Sequence, residues 1–92
     1  MAKHLLIVGL VQGVGYRASF EAQARALKLA GWVRNRADGS VEAAVRGAPD
    51  AIDGIITWSQ RGPAAARVRE VAIADIDDAS IPEERFEVLP TK

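Results

Sequence analysis

Apolar side chains recur along this chain at two different spacings, and each spacing predicts an element. Residues 3–11 form a short run rich in Leu, Ile and Val and punctuated by glycine, which predicts a buried strand. Over residues 17–30 the spacing changes, with Phe20, Ala24 and Leu27 on one face of a helical wheel and Glu21, Gln23, Arg25 and Lys28 on the other. This predicts an amphipathic helix, with Gly31 standing where a left-handed C′ residue would end it. Trp32-Val33-Arg34-Asn35-Arg36 then reads as a second strand. Asp38-Gly39 is a hairpin signal leading into a third, in which Val41, Ala43 and Val45 alternate with Glu42 and Arg46. Pro49 suits the first turn of a second helix, whose stripe of Ile52, Ile55, Ile56 and Ser59 stops before Gly62-Pro63. Val68, Val71 and Ile73 mark a fourth strand, residues 77–84 a polar loop, and residues 86–89 a short closing strand.

The order strand, helix, strand, strand, helix, strand, with a short last strand, is the split βαβ or ferredoxin-like plan of the α+β class. It predicts an antiparallel sheet with both helices on one face. The chain of 92 residues, 49% of them apolar, can supply one core, so residues 1–92 are expected to form a single domain. Twelve basic residues balance twelve acidic ones. No long-range field is therefore available to hold nucleic acid or an anionic membrane, and neither partner is expected. Without cysteine there is no disulfide, thiolate metal site or cysteine nucleophile. The apolar run near the start is too short to span a bilayer, and the features of a secretory signal are missing. These observations lead us to expect a cytoplasmic monomer.

Because this architecture carries many unrelated functions, the function must be argued from a site. Gly9, Gly13 and Gly15 crowd the stretch that leaves the first strand and enters the first helix. Glycine there lets backbone N–H groups turn inward as an anion nest, next to the partial positive charge of a helix start. Arg17 sharpens the reading, since a cation at a helix N-terminus opposes the macrodipole and a bound anion removes the conflict. Its guanidinium also fits phosphate bidentately. Taken alone, the loop reads equally as a simple strand-to-helix turn, and Asn35 as a residue satisfying backbone groups near a turn. Topology links them: the first two strands run in the same direction with the third between them. Asn35 is thereby brought to about 10 Å from the loop.

At these residues the chain resembles the acylphosphatase family. Ile7-Val8-Gly9-Leu10-Val11-Gln12-Gly13-Val14-Gly15-Tyr16-Arg17 resembles the family's first signature, and Gly31-Trp32-Val33-Arg34-Asn35, continuing through Gly39-Ser40-Val41 to Gly47, the second. The resemblance extends over the chain, with Gly62-Pro63, Ala66 and Val68 as weaker matches. It implies hydrolysis of an acyl phosphate to carboxylate and inorganic phosphate without metal or other cofactor. Gln12, Gly13, Val14, Gly15, Tyr16 and Arg17 would bind the phosphate, and Arg17 and Asn35 would be catalytic, Asn35 by orienting the attacking water. Tyr16 departs from the pattern, because the family usually has phenylalanine there, and its hydroxyl needs a partner.

Other residues read more simply. His4 is expected at a boundary or surface, Trp32 and Trp58 in or beside the core, and Asp38 as the hairpin residue. Arg34 and Arg36 should point to the sheet face opposite Asn35. An RNA-binding module of the same plan lacks its aromatic run here. A non-catalytic phosphate- or carbamoyl-phosphate-binding module, like the domain that begins the hydrogenase-maturation carbamoyltransferases, is a closer competitor; in those proteins the chain continues into further modules.

Overall fold

The computed structural model describes residues Met1–Lys92. Its elements are β1 Ala2–Leu10, α1 Tyr16–Ala26, β2 Ala30–Asn35, β3 Val41–Arg46, α2 Pro49–Ser59, β4 Arg67–Asp75, a 3₁₀ turn at Asp78–Ser80, and β5 Phe86–Val88. The five strands lie in the order β4-β1-β3-β2-β5, as the split βαβ plan requires. Strand alternation divides the side chains between two faces. Leu5, Ile7, Val33, Val41, Ala43 and Val45 pack under Phe20 and Ala24 of α1 and Ile52 and Ile55 of α2, so both helices cover one face. On the other face Ala2, Ala30 and Ala44 form a smaller cluster with Ile81, against which the partly buried Trp32 and Ile76 pack. Neither helix is long and apolar enough to cross a membrane.

The sheet is mixed, where a purely antiparallel one was expected: β5 pairs with β2 in parallel. The route of the chain explains why. Strand β4 runs antiparallel to β1 and so finishes where β1 begins. Residues 76–85 then cross that end of the sheet, held by Ile76 N–H donating to Ala2 O (3.3 Å) and Arg46 donating to Ile81 O (2.8 Å). They arrive at the start of β2, where Gly31 N–H donates to Arg85 O (2.9 Å), and β5 can only follow β2 in its own direction.

The end of α1 also differs from expectation. Lys28, at φ 59°, occupies the left-handed C′ position, with Leu29 N–H bonded to Ala24 O and Lys28 N–H to Arg25 O in a Schellman motif. Gly31 instead lies inside β2 at φ 138°, where an added Cβ would stand 1.9 Å from Ala44 O. Glycine serves strand approach there rather than helix termination. In β4, Val68 and Val71 both face the core despite their odd spacing. A bulge against Val8 and Gly9 takes up the extra residue.

Candidate active site

The chain between β1 and α1 turns through Gly13 at φ 75° and Gly15 at φ 79°, both left-handed conformations that cost an L side chain strain. Gly15 is the N-cap of α1, yet no side chain caps the helix and its first turn contains no acid. As a result, no N–H from Gln12 through Ala18 donates to the chain's own carbonyls or carboxylates; the first helical bond is Ser19 N–H to Gly15 O at 3.0 Å. Unpaired amides on a left-handed turn that leads into a helix start form a concave, positively polarised nest.

Arg17 adds full charge to that nest. No carboxylate of the chain pairs with it; Arg61, Arg67 and Arg69 also have no acidic partner, but of the four only Arg17 lines the cleft beside the nest. A cleft of about 210 Å³ is lined by Val11, Gln12, Gly13, Gly15, Tyr16, Arg17, Ala18 and Asn35. No acidic side chain is among them. The volume suits a group of phosphate size rather than a drug-sized ligand.

Asn35 forms the opposite wall of the cleft. As the last residue of β2 it pairs with Val41, while β3 separates β2 from β1. Its Oδ1 is buried and accepts from no protein group, a costly state for a carbonyl oxygen unless something at the site donates to it. The backbone of Asn35 is fixed from its other side too. Leu89 N–H donates to Val33 O (2.9 Å), Lys92 N–H to Asn35 O (3.1 Å) and Ala37 N–H to Lys92 O (2.8 Å). Sequence reasoning missed this tail, because pairing through the backbone leaves no side-chain pattern. It also missed Ala18, which has no functional group to signal its place in the lining.

The structure lines one cleft with Gln12, Gly13, Gly15, Tyr16, Arg17 and Asn35, while the Val14 side chain packs against the core and only its unpaired backbone N–H stays in the turn. Tyr16 lies at the cleft with its ring buried beside Phe20 and Trp58. Its hydroxyl donates to Ser59 O at 2.7 Å, which supplies the partner that the departure from phenylalanine called for. Burial pushes the Tyr16 phenol up, keeping it protonated and a donor. Gln12 sends its side chain out of the nest toward the β2–β3 hairpin. Asp38 builds that hairpin, its Oδ1 accepting from Ser40 N–H (2.9 Å) and Ser40 Oγ (2.6 Å).

Arg34, Arg36 and His4 stand outside the cleft, as expected. They converge on Glu42, with Arg34 Nε at 2.8 Å, Arg36 Nη1 at 3.2 Å and His4 Nε2 at 2.7 Å from its oxygens. Arg34 also stacks over Trp32, 4.7 Å from the ring centroid.

Fold and cleft together describe a small α+β protein in which a cleft of phosphate size brings unpaired backbone amides and Arg17 opposite Asn35. Comparison with known proteins narrows the class, since an acylphosphatase family model matches residues 3–88. The chain belongs to the acylphosphatase family of enzymes. It is 52% identical over 75 residues to an acylphosphatase of Acidovorax sp. (strain JS42), covering 82% of this chain and 77% of that protein. It is 47% identical to an acylphosphatase of Rhodopseudomonas palustris (strain BisB18), covering 99% of this chain and 96% of the relative. Among solved structures, an acylphosphatase from Coxiella burnetii superposes with a TM-score of 0.84 at 36% identity, covering 96% of this chain and 90% of that one.

Proposed function

We propose that this chain hydrolyses the carboxyl–phosphate bond of small acyl phosphates, with the nest from Gln12 to Arg17 holding the phosphate and Asn35 aiming the water. The observation that carries this reading is that Asn35, whose buried Oδ1 accepts from no protein group, lines the same cleft as the unpaired amides and Arg17. A water donating one hydrogen to Oδ1 has a lone pair free to attack phosphorus. As the P–O bond to the carboxylate breaks, the leaving oxygen takes the electron pair. A carboxylate is stable as an anion, so no general acid is required. The water's proton passes to a phosphate oxygen, and the products are a carboxylate and inorganic phosphate. The transition state of such a transfer is loose, which makes charge stabilisation and positioning the main tasks. The reading includes a monomeric, cytoplasmic enzyme of one domain that needs no metal.

Purified protein assayed with benzoyl phosphate in excess chelator should turn over. Asn35→Ala should lower kcat about 100-fold or more while the inhibition constant of inorganic phosphate stays close to the parent value. Arg17→Ala should weaken both. A folded, metal-free preparation that binds phosphate without turnover would leave the non-catalytic module as the correct reading.

A further inference from the structure

We infer that Gln12 is a positioning residue that couples the phosphate nest to Asn35, an assignment that rests on the catalytic reading above. Its side-chain amide straddles the neck of the β2–β3 hairpin, with Nε2 2.7 Å from Arg36 O and 2.8 Å from Ser40 O. Arg36 directly follows Asn35, and Ser40 directly precedes Val41, the strand partner of Asn35. Both amide hydrogens are thus used one residue beyond the Asn35–Val41 strand pair.

The chemistry admits few substitutes. Each carbonyl already accepts one backbone N–H, Ser40 O from Arg36 (2.9 Å) and Arg36 O from Gly39 (3.1 Å), so each has one remaining lone pair to offer. Two acceptors side by side require a group with two donors, and a primary amide on a long stem provides it without adding charge. A carboxylate in the same place would set oxygen against oxygen. With its hydrogens committed, the Gln12 amide cannot also donate to a phosphate. Its contribution to anion binding is confined to the backbone N–H.

Mechanically, the nest and Asn35 stand on strands that do not touch, since β3 separates β1 from β2. Their separation depends on sheet twist and hairpin angle, both soft quantities, and Gln12 is the side chain that ties loop to hairpin directly. In-line attack is sensitive to such a distance, as a displacement of about 1 Å costs on the order of 100-fold in rate.

The test is a double-mutant cycle on the full chain. Gln12→Met keeps the stem and removes both donors, and the hairpin keeps its backbone bonds, so the fold should persist by circular dichroism. We expect kcat for benzoyl phosphate to fall about 10- to 100-fold, with the inhibition constant of inorganic phosphate unchanged. In an Asn35→Ala background, Gln12→Met should alter kcat by less than about twofold. Gln12→Asn, which keeps the amide on a shorter stem, is the second variant should the first not fold. Weakened phosphate inhibition at constant kcat would make Gln12 a ligand instead, and a full multiplicative loss in the double variant would make its effect independent of Asn35. Either result, or an unchanged kcat, overturns the assignment. A normal rate in Asn35→Ala alone would instead refute the catalytic reading on which it rests.

Discussion

Tyr16 places a phenol where the family usually has phenylalanine, and its hydroxyl meets the backbone oxygen of Ser59, the last residue of α2. That carbonyl is one of those a helix end leaves without an internal donor. Tyr16→Phe should therefore lower stability by about 1 to 2 kcal/mol, read as a shift of the urea midpoint at constant m, while turnover of benzoyl phosphate is retained. Loss of turnover at unchanged stability would put the hydroxyl in the chemistry instead. Glu42 works on the opposite sheet face. Burial pushes its carboxyl up, but hydrogen bonds from His4 and Arg34, the Arg34 charge and a hydrogen bond from Arg36 prevail and hold it down to about 2. Because the folded value lies below the unfolded one near 4.5, the stabilisation is complete above about pH 5 and disappears as pH falls through about 2. Across that window the parent should lose about 2 to 3 kcal/mol more than Glu42→Gln in equilibrium unfolding. Parallel curves for the two proteins would refute this account.

Two glycines show how elements impose different demands. At Gly31, inside β2, a Cβ would collide with the carbonyl of the neighbouring strand; at Gly15, the N-cap of α1, it would meet nothing within 4 Å. The first cost is a backbone clash and the second only left-handed strain, about 1 to 2 kcal/mol. Gly31→Ala should thus destabilise the protein well beyond Gly15→Ala in denaturant unfolding, and equal effects would contradict the assigned contacts. Gly15→Ala should also weaken phosphate inhibition, because the turn that aims the amides depends on that conformation. Amphipathic periodicity made both helices legible in the sequence, and Pro49 marked the start of α2 correctly. The end of α1 was not legible. Lys28 takes the left-handed residue's place because Leu29 is drawn into the core beneath the helix, a tertiary demand that overrides intrinsic preference.

For the molecule as a whole, β1 and β2 deliver the nest and Asn35 to one end of the sheet, while residues 76–85 close the other. Ligand at the first end should stabilise the entire fold by linkage. Inorganic phosphate at about 100 times its dissociation constant adds about 2.7 kcal/mol, visible as a higher Tm. Phosphate also stabilises proteins generally by exclusion from their surfaces, so the comparison that matters is with Arg17→Ala. The variant should lose most of the increase. An undiminished rise would mean that the anion does not reach the nest through Arg17.

The sequence by itself determined the local chemistry: a glycine-bearing turn before a helix start, an arginine where stability would disfavour one, an Asp-Gly hairpin, and the order of elements that puts Asn35 opposite that turn. Each of these is written in residue types, whose conformational and charge preferences act over a few neighbours. The tertiary structure alone decided that β5 runs parallel to β2, that residues 89–92 brace Asn35 through their backbone, and that Gln12 turns its amide away from the phosphate toward the hairpin. The physical reason is common to all three. Backbone donors and acceptors are nearly alike at every residue, so which of them meet depends on how the chain is folded in space rather than on the letters that carry them.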